Sequence, residues 1–403
     1  MVRRSRITLL AAGVALAALV SACGVPGTPR PGEPDVRTLE VGPYPVDRHS
    51  YDQDPHGKGA ILEGIRMADA IAPVVRIDPA LNVGVDAGVV VDSEQAVDGY
   101  LASVAKPVLE RHGMVVGYRS MGADLPFVPF STQPANPSPD TIVLQLLMRF
   151  PSAGVAAQAA RDLEESDFQV APDQNRRVRH PDYPNAMIHW RPGVANMGAF
   201  VAVGEFVLFV FVARPSADER DLLNWTGNTL RVAVPAAQAF TPTPIDRLNT
   251  LRVDPEGLLA RVAVADRDRR LDPDRFSVHP PAALVHTDTN QSAVLRTIER
   301  DGIEAVAVID NSWVMRVREE SKASTLAADL VASAGVEFDP VAAPNDVPGA
   351  TCQHLNRRGD TDKQYRYQCF VTYKRYVAVV ASDSEPDVRQ RVAAQYALLA
   401  NSM

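Results

Sequence analysis

Phe200-Val-Ala-Val-Gly-Glu-Phe-Val-Leu-Phe-Val210 reads as two apolar strand segments meeting at a short turn. Strands joined so closely pair antiparallel, which makes this a hairpin. The chain then repeats it. Phe370-Val-Thr-Tyr-Lys-Arg-Tyr-Val-Ala-Val-Val380 lies at an offset of 170, so Phe200, Val201, Val207 and Val210 fall on Phe370, Val371, Val377 and Val380, and Phe206 falls on Tyr376. Each copy is followed by a serine with an acid three residues on, Ser216-x-x-Glu219 and Ser384-x-x-Asp387. At that spacing the hydroxyl can take an orphan N–H at a helix start. The last helix sets Val388, Val392, Tyr396 and Leu399 along one face, a stripe suited to lying on a sheet.

Outward from the hairpins the two halves agree. The first predicts helices over 95–111, 152–166 and 217–231, with strands over 114–119, 141–149, 186–190, 198–203 and 206–213. The second predicts helices over 290–300, 322–334 and 385–400, with strands over 303–309, 312–319, 350–356, 366–373 and 376–381. This is an α+β plan of two tandem domains, each an antiparallel sheet with helices packed on one face. The first domain covers 38–233 and the second 260–403. The proline-bearing 234–259 is a linker, and 131–140 and 170–184 read as surface loops.

The N-terminus has a different character. Met1-Val-Arg-Arg-Ser-Arg6 precedes an uncharged run from Ile7 to Val20 and then Ser21-Ala22-Cys23-Gly24. A basic start, a short apolar run and small residues before a cut site make 1–22 a secretory signal. The run falls short of the ~20 residues that span a hydrocarbon core. Val20-Ser-Ala-Cys23 resembles the bacterial lipobox, in which the cysteine is acylated with chains such as palmitate and becomes the first mature residue. More than one acyl chain makes a stable anchor. Residues 23–37, rich in Pro and Gly, form a semi-extended tether. The expected address is the extracytoplasmic face of the cell membrane, held there by lipid.

With Cys23 assigned to lipid, Cys352 and Cys369 remain, two thiols in an oxidising compartment and therefore one disulfide. Folding a hairpin about Asp360 and Thr361 sets them opposite each other. The formal charge is −8, and −11 without Arg3, Arg4 and Arg6. A net acidic body with dispersed basic residues excludes nucleic acid and anionic lipid as broad electrostatic partners.

Leu39-Glu-Val-Gly-Pro-Tyr-Pro45, Arg66-Met-Ala-Asp69, Phe240-Thr-Pro-Thr-Pro244 and Asp254-Pro-Glu-Gly-Leu-Leu-Ala-Arg261 resemble recurring blocks of an uncharacterised lipoprotein family of mycobacteria, nocardiae and their relatives. The similarity covers nearly all of the mature chain. It implies a mycolic-acid-type envelope outside the membrane. No activity is assigned to that family, so no catalytic residue carries over.

No Gly-x-Ser-x-Gly, phosphate-binding loop or His-Glu-x-x-His is present. The closest histidine pairs, His49/His56, His180/His189 and His279/His286, are spaced beyond one helical turn and read as surface or loop residues. Asp266 to Asp274 lacks the glycine and glutamate of a calcium loop and reads as solvated. Trp190, Trp225 and Trp313 read as core. No catalytic residue, metal site or cofactor is expected. The expected function is non-enzymatic binding of a lipid, glycolipid or wall-derived ligand. The alternatives are a protein-interaction scaffold or sensor partner at the envelope, and an unrecognised hydrolase.

Overall fold

In a computed structural model, residues 34–125 and 140–402 are described. The expected signal over 1–22, Cys23, most of the expected tether and nearly all of the expected 131–140 loop lie outside them. The first half contributes α1 (Gly59–Arg66), β1 (Val83–Val90), α2 (Ser93–Val97), α3 (Lys106–Arg111), β2 (Val116–Ala123), β3 (Ile142–Arg149) and α4 (Ala153–Phe168). It continues with β4 (Arg176–Val178), β5 (Met187–Trp190), β6 (Asn196–Val203), β7 (Phe206–Ala213) and α5 (Glu219–Ala239). The second half contributes β8 (Phe276–His279), α6 (Ala282–Thr287), α7 (Gln291–Asp301), β9 (Ile303–Ile309), β10 (Ser312–Val317) and α8 (Glu320–Ser333). Then come β11 (Phe338–Val341), β12 (Thr351–Leu355), β13 (Tyr367–Tyr373), β14 (Tyr376–Ser382) and α9 (Glu385–Asn401).

Among the described residues the strands form two seven-stranded sheets. One has the order β1-β2-β3-β7-β6-β5-β4, and the other, taken from its β8 edge, β8-β9-β10-β14-β13-β12-β11. Each strand of the first half therefore has a counterpart at the same place in the second, and the repeat extends from one hairpin to a whole topology. Neighbouring strands are antiparallel. The first turn residue sits at positive φ in both hairpins, at Gly204 (56°) and Lys374 (48°). That backbone twist suits a two-residue connection.

The α+β tandem plan holds, but the helices cover both faces of each sheet instead of one. The reason is visible in the central strands. Every residue of β3 is buried, and all but one of β7. A strand apolar on both sides needs cover on both. α4 lays Ala156, Ala159, Ala160 and Leu163 on Leu144, Leu146, Val207 and Phe209. α5 lays Leu222, Leu230 and Ala233 over Val143, Leu208, Val210 and Val212, the alternate residues of the same strands. In the second half α8 covers Val306, Met315, Val317 and Val377. α9 brings Val388, Val392, Tyr396 and Leu399, the predicted stripe, against Val314, Ala378 and Val380.

The α5 and α9 faces belong to one hydrophobic cluster, which also takes in Met67, Val74 and Leu81. Asp35–Met403 accordingly forms one compact unit. The N-terminal arm lies across the second half. Tyr44 donates a hydrogen bond to Asp387 at 2.6 Å, beneath the Arg391 guanidinium. Burial and that bond raise the Tyr44 pKa. Gly42, at φ +55°, has Gln390 where a Cβ would stand. Arg267 clamps the Asp47 carboxylate at 3.1 Å and the Pro45 carbonyl at 2.9 Å.

Several local expectations shift. The helix expected over 95–111 is two short helices, α2 and α3. The helix expected to end at 231 runs to Ala239, through Pro235, so its end takes in the first residues of the expected linker. The cap of α5 is Asp218, whose carboxylate accepts from the Asp221 N–H at 2.9 Å, rather than Ser216. Ser384 stands at the α9 N-cap without a side-chain bond. Trp190 is buried and Trp225 partly so, whereas Trp313 is 42% exposed.

Cys352 and Cys369 form the expected disulfide, directly opposite each other on β12 and β13. The bridge closes a loop with a sequence separation of 17. Cys352→Ser with Cys369→Ser should lower unfolding stability by about 3 kcal/mol in the chain-entropy account. Urea unfolding of both forms under oxidising conditions checks this, and an unchanged midpoint would contradict it.

Candidate functional site

The two halves meet along a seam of buried polar groups. Ser120 on β2 and His286 on α6 are both fully buried, with Ser120 Oγ 3.0 Å from His286 Nδ1. The other ring nitrogen of His286 lies 3.0 Å from the Ala68 carbonyl, which can only accept. Nε2 therefore carries the proton, and Nδ1 accepts from the serine hydroxyl. Burial holds the His286 pKa down at about 4, so the ring is neutral. Serine and histidine 166 residues apart thus make a nucleophile–base-like contact. Sealed from solvent, it serves as a tie between halves. His286 is far from the surface histidine expected of it, because α6 docks on β1 and β2.

Other ties surround it. Within the first half Gln145 Nε2 donates to the Ala72 carbonyl at 2.8 Å, and across the seam the Gln291 side-chain carbonyl accepts from the Val75 N–H at 3.3 Å. Gly84 N–H donates to the Asp288 carbonyl at 2.8 Å, so close that a Cβ on Gly84 would strike the His286 carbonyl.

A second buried cluster fixes the chain that follows α5. Glu63 is fully buried and Arg149 nearly so, 2.9 Å apart. Glu63 also accepts from the Thr243 N–H at 2.8 Å and hydroxyl at 2.9 Å, and pairs with Arg66. Arg149 completes its bonding on Glu205 at 3.0 Å and on the Thr243 carbonyl. α1, β3, the β6–β7 turn and the 240–244 segment are thereby held as one piece.

Beside this piece a cleft of about 370 Å³ opens on the seam. Arg66, Asp69 and Phe240 line it from the first half, and His279, Pro280 and Glu304 from the second. Arg66 sits 5.2 Å from the centre of the Phe240 ring. Arg316 holds Glu304 at 3.0 Å. Asp69 has no hydrogen-bond partner among the described residues, and desolvation raises its carboxyl pKa, partly offset by Arg66 nearby. The cleft offers an apolar ring face, a guanidinium and a free acceptor.

Cys23 lies outside the described residues, and Cys352–Cys369 belongs to the sheet of the second half, on β12 and β13. The 66–69 and 240–244 blocks meet at the seam cleft, while the 39–45 block is the arm over α9. In the 254–261 block Asp254 accepts from the Leu259 and Ala260 N–H groups, each at 3.0 Å. Sequence reasoning missed the Glu63–Arg149 and Ser120–His286 pairs, because nothing in local spacing links residues so far apart. One signal was present: a lone Arg or Gln inside an otherwise apolar strand, as Gln145 and Arg149 are in β3, asks for a buried partner. No helix among the described residues is long and apolar enough to cross a membrane.

The solved extracellular domain of PknH from Mycobacterium tuberculosis overlaps 42% of this chain and 94% of its own, with 12% sequence identity and a TM-score of 0.31. No curated protein shows a match to the chain. Family models described as Domain of unknown function (DUF7373), N-terminal and C-terminal, match residues 50–253 and 258–402. With the two matched regions covering its two repeated halves, the chain belongs to the DUF7373 family.

Proposed function

We propose that this chain is a lipid-anchored, non-enzymatic binding protein of the extracytoplasmic membrane face, taking a wall-derived or glycolipid ligand by its saccharide part in the seam cleft. The signal over 1–22, the Cys23 anchor and the tether support the address. The observation that carries the ligand reading is Phe240 set beside Arg66 and Asp69 in a cleft shared by both halves. A sugar ring presents an apolar face to stack on an aromatic and a rim of hydroxyls for a carboxylate and a guanidinium. A few convergent polar groups against an apolar wall are what fix a small ligand.

The chain secreted from an actinobacterial host should carry a stoichiometric extra mass in native mass spectrometry, lost on denaturation, with a saccharide component. A bare mass from cells with an intact envelope would count against the proposal. A protein-partner reading draws on Val336, 68% exposed beside Phe338, Arg357 and Arg358 at the far edge of the second sheet. Crosslinking in intact cells that returns no reproducible partner would argue against it.

A further inference from the structure

We propose that a second site, separate from the seam cleft, binds a phosphate group where the N-terminal arm, the linker after α5 and the end of α9 converge. A cleft of about 550 Å³ opens there, lined by Arg48 and His49 of the arm, Arg252 and Glu256 of the linker, and Arg261 and Ser402.

The chemistry follows from which groups are already engaged. The Asp254 carboxylate, 2% exposed, is bonded by the Leu259 and Ala260 N–H groups. Glu256 pairs with Arg316. Gln53 accepts from the Asp254 N–H at 2.9 Å and donates to the Tyr51 carbonyl at 3.0 Å. Every acidic group lining the cleft thus has a partner elsewhere. The unengaged groups are donors. Arg48 and Arg252 have no hydrogen bond or ion pair among the described residues and stand open to solvent. Arg261 places its two terminal nitrogens on the Gly257 and Ser402 carbonyls, while its Nε–H is buried without a partner. Both ring nitrogens of His49 are likewise shielded and make no hydrogen bond of good geometry, with the Asp47 backbone beside the ring, so at least one of them stays unsatisfied.

Two free guanidinium forks, a guanidinium Nε–H and an imidazole N–H around one cleft call for an anion with several acceptor oxygens. A phosphate ester meets that description, with oxygens for each donor and the bidentate geometry that guanidinium groups favour. The net acidic charge of the chain offers no general attraction for anions, so binding here would be local to these donors. The phosphate can be that of a lipid headgroup or of a soluble ester.

The test uses the secreted chain carrying Cys23→Ser, so that no lipid anchor contributes. Calorimetric titration with inorganic phosphate should show saturable binding at one site. Arg48→Gln with Arg252→Gln should weaken it at least ~10-fold, on the scale of lost charge-assisted bonds. The far-edge pair Arg357→Gln with Arg358→Gln should leave it within about twofold. Arg48 and Arg252 hold no other described residue, so circular dichroism melts should match the parent. Phosphatidylcholine vesicles with and without phosphatidylglycerol then separate the sources. Binding only to the phosphatidylglycerol vesicles, competed by inorganic phosphate, identifies a headgroup site. Phosphate binding without vesicle binding identifies a soluble ester. No saturable binding of either probe, or equal loss in both double variants, overturns the site.

Discussion

Glu63→Ala should lower unfolding stability by about 3–5 kcal/mol, the scale for leaving a buried charge without its partner. Glu63 is fully buried, and its two oxygens serve Arg149, Arg66 and the two donors of Thr243, its N–H and its hydroxyl. Truncation leaves Arg149, 1% exposed, with Glu205 as its one carboxylate and strips the Thr243 N–H of its acceptor. The exposed pair Arg176–Glu219 is the internal contrast. Glu219→Gln there should cost under about 1 kcal/mol, since solvent screens the pair. Urea unfolding of the three proteins decides the matter, and a Glu63→Ala loss no larger than that of the surface control would refute the account of the cluster. The same substitution should weaken ligand retention, because the cluster holds the segment carrying Phe240 against Arg66.

Acid should destabilise the fold well above the pH at which carboxylates begin to protonate. His286 titrates near 6.5 when unfolded but only near 4 when folded, because burial disfavours its charged form and the Ala68 carbonyl offsets only part of this. Between those values the unfolded chain binds a proton that the native chain refuses. Stability is therefore full above pH 6.5 and falls as pH drops toward 4, by about 1.4 kcal/mol per unit and about 3 kcal/mol across the window. His279, reaching into the seam cleft, is shifted the same way by burial and adds to the slope. Urea midpoints at pH 7, 6 and 5 measure the effect ahead of most carboxylate titration. His286→Gln should reduce the slope over that range, whatever it does to stability at pH 7. A midpoint independent of pH from 7 to 5 would show that the seam histidine is not held neutral.

Much of the fold was legible because its centre is apolar and repetitive. The hairpin strands β6, β7, β13 and β14, the last helix of each half and the pairing of Cys352 with Cys369 follow from alternation, turn spacing and cysteine count alone. The outer strands were missed for physical reasons. β1 carries two glycines and an aspartate, β4 is three residues with two arginines, and β11 contains Pro340. Edge strands need neither continuous apolar patterning nor every N–H, so propensity is weak where they form. The two-sided helix cover was written in β3, where Ile142, Leu144, Leu146 and Met148 on one face and Val143 and Leu147 on the other leave both sides largely apolar. Glu63 and the seam cleft could not be read in advance, because they exist only once residues 177 positions apart, such as Arg66 and Thr243, are brought together.

The most direct test of the seam cleft as the binding site is native mass spectrometry on the parent chain and its Phe240→Ala variant, secreted side by side from one actinobacterial host. Phe240 is only partly buried, so the variant should fold and differ chiefly at the cleft wall. The predicted result is a stoichiometric saccharide-bearing mass on the parent and its loss or strong depletion on the variant. Two bare proteins, or the same extra mass on both, would contradict it.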